Sequence, residues 1–437
     1  MRPLPAAAAA LLLSVAAAYY VYVPLPSSLA EPWKLMVLDA VFRTFLHVGN
    51  LAQDLGISHY VHVVNYIVSQ VEIKGPRSSE TVRVTDTSLA GVQARVFEPK
   101  GMDRRLRRAV VYFHGGGWAL GSGKMRSFDL LCRRMAEELH AVIVSVDYRL
   151  VPEVHFPEQY YDALNASQHF LKPEVLAQYS VDPERVAISG DSAGGNLAAA
   201  VAQQVWTVEI DAPLAFLLIV PRAILHPSFQ MATDNSSSVK FKVQALIYPV
   251  LQALDFNTPS YQQNGDTPIL YRSLMVLFWL EYLNGDTSFA SSLLANNHTA
   301  LDPGRLDAVE TMAKVNWTRL LPPALRKHYK PVAPARGAPR IVDELPALLD
   351  ARAAPLLAEQ AVLRATPPAY IMTCEHDVLR DDGFMYGRRL EEAGVPVTHD
   401  HYEDGFHACM VFSVWPAKFS VGTRSLKNYI RWLDRNL

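Results

Sequence analysis

The chain has 437 residues, 50% of them hydrophobic and 19% charged, enough apolar mass for one large α/β domain with additions, or for two domains. Its 41 basic and 43 acidic residues leave a formal charge of −2, so nothing in the balance attracts nucleic acid. Three cysteines (Cys132, Cys374 and Cys409) are too few, too scattered and odd in number for a disulfide scaffold.

The first predicted element is an apolar run at residues 6–23, broken only by Ser14. As a helix it would extend about 27 Å, the hydrocarbon thickness of a thin membrane. Arg2 precedes it and Glu31 is the next charge, so the bias of positive residues puts residues 1–5 in the cytosol and the remainder in the lumen, a type II signal-anchor. The competing reading is a cleaved signal peptide ending near Ala16-Ala17-Ala18. Four Asn-x-Ser/Thr triplets, at Asn165, Asn235, Asn297 and Asn316, suit a luminal body.

Residues 24–78 are predicted to form a helical cap. In 35–48 the polar residues Asp39, Arg43 and His47 recur every four positions; in the next stretch Ser58, His62, Asn65 and Ser69 draw a narrow polar line through apolar sequence. One reading is core packing with a wet face. The other is a cap over a lipid pocket, or apolar faces laid against the membrane beside the anchor.

From 79 to 437 the pattern becomes that of a catalytic α/β domain. Short β-rich runs occur at 92–97, 109–113, 141–146, 186–189, 243–248, 369–373 and 397–402, most of them separated by helical patterns. Continuous apolar runs such as 109–113 imply strands covered on both faces, hence a mostly parallel sheet flanked by helices. No internal repeat interrupts the order.

Gly190-Asp191-Ser192-Ala193-Gly194 has the G-x-S-x-G spacing of a nucleophile elbow and falls between the strand at 186–189 and a helix expected to begin near Asn196. The helix N-terminus would favour negative charge at Ser192. His114-Gly115-Gly116-Gly117-Trp118 follows another strand, and three glycines let backbone N–H groups face a pocket without side chains in the way. The amide of Ala193 would join them. No Gly-Lys-Ser/Thr ending makes this a phosphate loop.

A triad on such a sheet takes its acid after a late strand and its histidine later still. Asp377 heads the acid candidates, with Glu375, Asp381 and Asp382 as rivals; His407 lies on a Gly-bearing loop after the last strand. No metal and no cofactor is needed for this chemistry. Since His407 must be neutral to act as base, activity is expected to fall below about pH 6.5.

Together, HGGGW, DYRLVPE (residues 147–153), GDSAGGNLAAAV and the D-x-L-x-D-D-G run at 377–383 resemble the hormone-sensitive-lipase branch of the α/β-hydrolases, and within it the arylacetamide deacetylase group. The resemblance covers nearly the whole chain. It implies an α/β-hydrolase fold, Ser192 as nucleophile, Asp377 as acid, His407 as base, and an oxyanion hole drawn from His114, Gly115, Gly116 and Gly117 with Ala193. It also implies glycans on Asn297 and Asn316, an endoplasmic-reticulum membrane location with a luminal catalytic domain, and hydrolysis of cholesteryl esters and 2-acetyl monoalkylglycerol ethers. Alternatives are a broad aryl-ester or arylacetamide deacetylase, and an inactive hydrolase fold used for binding.

Two departures stand out. Members of the group often carry a Cys directly after HGGGW that could pair with the position of Cys374; here it is Ala119, so that bridge cannot form. Residues 206–236 hold an atypical Pro-interrupted insert, expected to lie away from the active-site edge and read as a splice or gene-model addition rather than a membrane-touching loop.

Overall fold

The computed structural model describes residues 4–72, 77–101, 105–207, 239–299, 306–332, 337–338, 340–414 and 417–437. The insert at 206–236, with the Asn235 triplet, falls almost wholly outside the described residues.

Eight strands form one sheet in the order β1-β2-β4-β3-β5-β6-β7-β8. They are β1 (Val82–Leu89), β2 (Val92–Pro99), β3 (Arg107–Phe113), β4 (Ala141–Asp147), β5 (Val181–Asp191), β6 (Val243–Ile247), β7 (Ala369–His376) and β8 (Val397–Phe406). β1 and β2 pair antiparallel, as do β2 and β4; every pairing from β4 to β8 is parallel. All seven expected strands are present. The unexpected one, β1, is an edge strand whose Thr-Asp-Thr-Ser run hides the alternation that would have marked it.

β3 explains why continuous apolar runs signal the centre of such a sheet. Ala109, Val111 and Phe113 pack into the core on one face, Val110 and Tyr112 into the core on the other. The first core is closed by α5 (Glu158–Phe170), α7 (Ala193–Thr207) and α9 (Arg380–Glu392), the second by α4 (Arg126–Leu139) and α10 (Ser420–Asn436). The intervening α6 (Pro173–Gln178) and α8 (Arg272–Tyr282) complete the helices used below.

Helix α7 begins at Ala193, three residues earlier than the sequence pattern indicates. Glycine is a poor helix former, so Gly194-Gly195 reads as loop. Here contact outweighs propensity, because a methyl group on Gly194 would sit 2.0 Å from Phe113 O.

Ahead of the sheet lie α1 (Leu4–Val21), α2 (Pro32–Asp54) and α3 (Tyr60–Glu72), the last two being the expected cap helices. By length and hydropathy α2 passes for a membrane span. Its packing argues otherwise: Asp39 is fully buried, accepts from Arg43 Nε at 2.7 Å and Ile269 N at 3.1 Å, and is bonded by Tyr271 Oη. A carboxylate anchored this way ties α2 to the hydrolase body. The middle of α3 is bound in turn to the segment after the glycine loop, through Asn65.

Candidate active site

Ser192 sits on the turn between β5 and α7 with φ of +54°, a left-handed conformation that lifts its side chain off the strand end. The turn is held from below. Ser192 N donates to Ile247 O at 2.9 Å and Asn196 N to Ser192 O at 3.0 Å, while the Asn196 side chain donates to Val250 O and Ala353 O.

His407, the residue after β8, places Nε2 2.9 Å from Ser192 Oγ and Nδ1 2.8 Å from Asp377 Oδ2. The partners assign the tautomer: Nδ1–H donates to the carboxylate, leaving Nε2 to accept the serine proton. All three are buried, with Ser192 and His407 exposed by only 7% and 6%, so their mutual contacts lie largely out of water. Asp377 Oδ1 accepts from Leu379 N at 2.8 Å, which fixes its orientation.

The rivals for the acid are all committed elsewhere. Glu375 is bound by Arg380, Gln263 and His401; burial alone would raise its carboxyl, but the hydrogen bond from His401 and the Arg380 charge outweigh it and hold the group at about 2. Asp381 accepts from Ser260 N and Arg380 Nε. Asp382 accepts from Leu251 N and Gln252 Nε2, and burial pushes it up to about 7. The neighbouring Asp404 is bonded to Arg424 at the protein surface.

The expected oxyanion segment requires correction at two positions. Gly115 N donates to Asp191 Oδ1 at 2.9 Å and is no longer available to a substrate. The His114 ring is fully buried, stacked on Tyr148 at 4.5 Å, with Nδ1 on Gly115 O; burial lowers its pKa and keeps it neutral. The remaining donors are Gly116, Gly117 and Ala193, whose N–H groups have no protein acceptor among the described residues. Gly116 has a φ of +117°, and a methyl group there would lie 2.0 Å from Leu120 O, so only glycine keeps this loop in place.

Three side chains hold the loop that spacing alone did not single out. Asp191 takes Tyr112 Oη at 2.8 Å as well as Gly115 N on one oxygen. Tyr148 Oη donates to His114 O at 2.8 Å. Asn65 of α3 donates to Ala119 O at 2.8 Å and accepts from Gly121 N at 2.9 Å. Asp191 and Tyr148 lie inside motifs, yet their task is visible only once β3, β4 and β5 are side by side.

Asp191 supports a direct prediction. Burial pushes its carboxyl up to about 6, against its hydrogen bonds from Tyr112 and Gly115. The folded chain therefore binds this proton more tightly than the unfolded chain, and the group's contribution to stability is lost as pH rises from about 4 to about 6. Asp191→Asn keeps the accepting oxygen without the charge, so its melting temperature should gain on the native chain between pH 4 and pH 7. Asp191→Ala frees the glycine loop and should lower kcat about 10²-fold with little change in KM. Equal kinetics for the native chain and Asp191→Ala would remove this role.

Ala119 is buried, as expected leaving Cys374 without a partner there; Cys374 Sγ instead lies 3.6 Å from Cys409 Sγ, and Cys132 is buried elsewhere. Among the glycosylation candidates, Asn316 is exposed and caps a short helix, and Asn297 is half-buried in a single helical turn. Asn165 is exposed on α5, although its Ser167 is fully buried.

The pattern that describes the α/β hydrolase fold family matches residues 110–307 and 338–411. The chain belongs to that family, within its serine ester hydrolases. Over 96% of its length it is 55% identical to neutral cholesterol ester hydrolase 1 of Bos taurus, covering 97% of that protein. It is 42% identical to arylacetamide deacetylase of Oryctolagus cuniculus, with 98% of both chains aligned. Among solved structures, the thermostable carboxylesterase EstE1 from a metagenomic library superposes with a TM-score of 0.56 at 26% identity, over 86% of this chain and 95% of that one.

Proposed function

We propose that this chain is a membrane-anchored lipid esterase in which Ser192 attacks the ester carbonyl, His407 takes its proton, and Asp377 holds the imidazole and stabilises its charged form. The unbroken contact from Asp377 through His407 to Ser192 carries the reading. The oxyanion of the tetrahedral intermediate is assigned to the amides of Gly116, Gly117 and Ala193. His407 then passes its proton to the departing alcohol, and water, activated by the same imidazole, releases the acid from Ser192. A binding module would have no reason to keep this full set.

For substrate we favour cholesteryl esters, on the strength of the similarity to neutral cholesterol ester hydrolase 1, with 2-acetyl monoalkylglycerol ethers as the further class that the family resemblance of the sequence implies. The similarity to arylacetamide deacetylase supports small aryl esters as a second reading. Side-by-side turnover of cholesteryl oleate, an acetylated ether lipid and an aryl acetate separates them: the lipid esters should have the higher kcat/KM by at least about tenfold, the worth of a few well-placed apolar contacts. A preference for the aryl acetate by that margin would replace the first reading with the second.

For location we favour the endoplasmic-reticulum membrane, with α1 as a type II anchor, the catalytic body in the lumen, and glycans on Asn297 and Asn316. Support comes from the apolar composition of α1 and the exposure of Asn316. Protease protection in sealed microsomes, read with an endoglycosidase mobility shift, tests orientation.

A further inference from the structure

Sixteen large hydrophobic side chains are exposed among the described residues, and fourteen of them lie between Leu11 and Tyr66. Those on α1 belong to an anchor. Those on α2 do not, and they form a pattern. Trp33, Val37, Val41, Val48, Leu51 and Leu55 are 45–66% exposed; at about 100° per residue they share an arc of about 80° on the helix surface. Thr44 is the one polar residue within that arc, and no charge falls in it. Ile57 and Tyr66 extend the apolar surface onto the α2–α3 hairpin at 71% and 66% exposure.

The arc cannot turn inward. Its reverse face carries Leu35 and Asp39, both fully buried, and Asp39 is bonded to Tyr271, Ile269 N and Arg43. Rotating α2 would strip that carboxylate of its partners. The exposed apolar face therefore needs an outside apolar phase, since monomeric proteins seldom leave a continuous patch of this kind in water.

We propose that this face of α2 lies in the interfacial layer of the same bilayer that α1 enters, so that the protein docks on the membrane as well as being tethered to it. The proposal rests on the anchor reading of α1. Continuity selects a bilayer over a second copy of the chain. Tyr20 Oη meets Thr44 Oγ1 at 3.3 Å, Arg43 Nη2 donates to Tyr20 O at 2.7 Å, and the Arg43 guanidinium covers the Tyr20 ring at 4.6 Å. The last turn of α1 is thus fastened at the edge of the apolar arc. Tyr19 and Tyr22, beside Tyr20 in sequence, and Trp33 in the first turn of α2 are all exposed and are residue types that favour the head-group level. The docked hairpin also reaches the chemistry, because Asn65 of α3 holds the segment after the glycine loop at Ala119 O and Gly121 N. Docking would bring that loop close to the layer where a lipid ester resides.

The test uses the full chain in phosphatidylcholine–phosphatidylethanolamine vesicles. All three native cysteines are buried, so Val48→Cys and Leu51→Cys, with Arg435→Cys on α10 as a control, each take a single environment-sensitive fluorophore. Labels at 48 and 51 should be quenched several-fold more by a lipid-borne nitroxide than by aqueous iodide, with the reverse at 435. Iodide quenching at 48 and 51 to the level seen at 435, in protein that resists alkaline carbonate extraction, would overturn the docking and leave the anchor standing. Lipid quenching in protein released by carbonate would support the docking and remove the anchor. Protection from both quenchers with energy transfer between copies would overturn the bilayer in favour of a second copy. As an activity readout, a Val48→Asp/Leu51→Asp double variant should lose about tenfold in kcat/KM on a vesicle-embedded ester while staying within twofold on a water-soluble short-chain ester. Unchanged turnover of the embedded ester would overturn the proposal.

Discussion

Ser192→Ala is expected to lower kcat for ester hydrolysis by about 10⁴-fold or more, because it removes the atom that, on the proposed mechanism, forms the acyl-enzyme. Alanine keeps the β-carbon and adds no bulk to the turn at φ +54°, so the elbow geometry survives. What disappears is the Oγ, 2.9 Å from His407 Nε2. The remaining activity is what binding and the oxyanion amides supply without a covalent intermediate. Melting temperature should stay within a few degrees of the native chain, and a serine-reactive fluorophosphonate should no longer label the protein. Labelling of Ser192→Ala, or turnover above about one per cent, would assign the nucleophile to another residue.

The second large effect belongs to the acid. Asp377→Asn preserves shape at a site that is 1% exposed, yet it withdraws the charge opposite His407 Nδ1 and can present an N–H where an acceptor is required. Either outcome harms the base: an amide oxygen stabilises the imidazolium poorly, and an amide N–H forces the tautomer that cannot take the serine proton. We expect kcat to fall about 10³- to 10⁴-fold with KM nearly unchanged. Glu375→Gln makes the comparison decisive. Glu375 is tied to Arg380, Gln263 and His401, away from His407, so its loss should leave kcat within about tenfold, the range for a residue outside the relay. A larger fall for Glu375→Gln than for Asp377→Asn would transfer the role.

The two halves of the triad differed in how legible they were. Ser192 announces itself because an elbow needs small residues at fixed offsets, and the glycines on either side satisfy close backbone contacts that tolerate nothing larger. Asp377 does not, since four acids crowd 375–382 and one-dimensional spacing cannot tell which faces the histidine. The decision is made by register: β7 and β8 run parallel, with His376 beside Phe406, so the next residues on the two strands, Asp377 and His407, emerge together at the same sheet edge. Gly115 illustrates the opposite error. A run of three glycines looks uniform, but Asp191 reaches across from β5 and occupies the first amide, leaving the next two.

The N-terminal helices follow the same division. Their periodicity exposes a polar stripe, and from sequence that stripe reads as the wet side of α2. In the folded chain Asp39 is instead among its most buried residues, and the apolar arc faces outward. Periodicity reports that a helix has two faces; it carries no sign for which is inside when a carboxylate finds Tyr271, Ile269 and Arg43 to bond.

Sequence by itself pointed to the hydrolase fold, to every strand but β1, and to the candidate serine, histidine and glycine loop, because each depends on local requirements of backbone geometry and burial. Tertiary structure alone excluded the rivals of Asp377, the leading candidate from sequence, as the acid facing His407, and showed which amides remain free and which face of α2 is exposed. Those depend on contacts between segments up to 232 residues apart, where hydrogen bonds to buried charges outweigh local pattern.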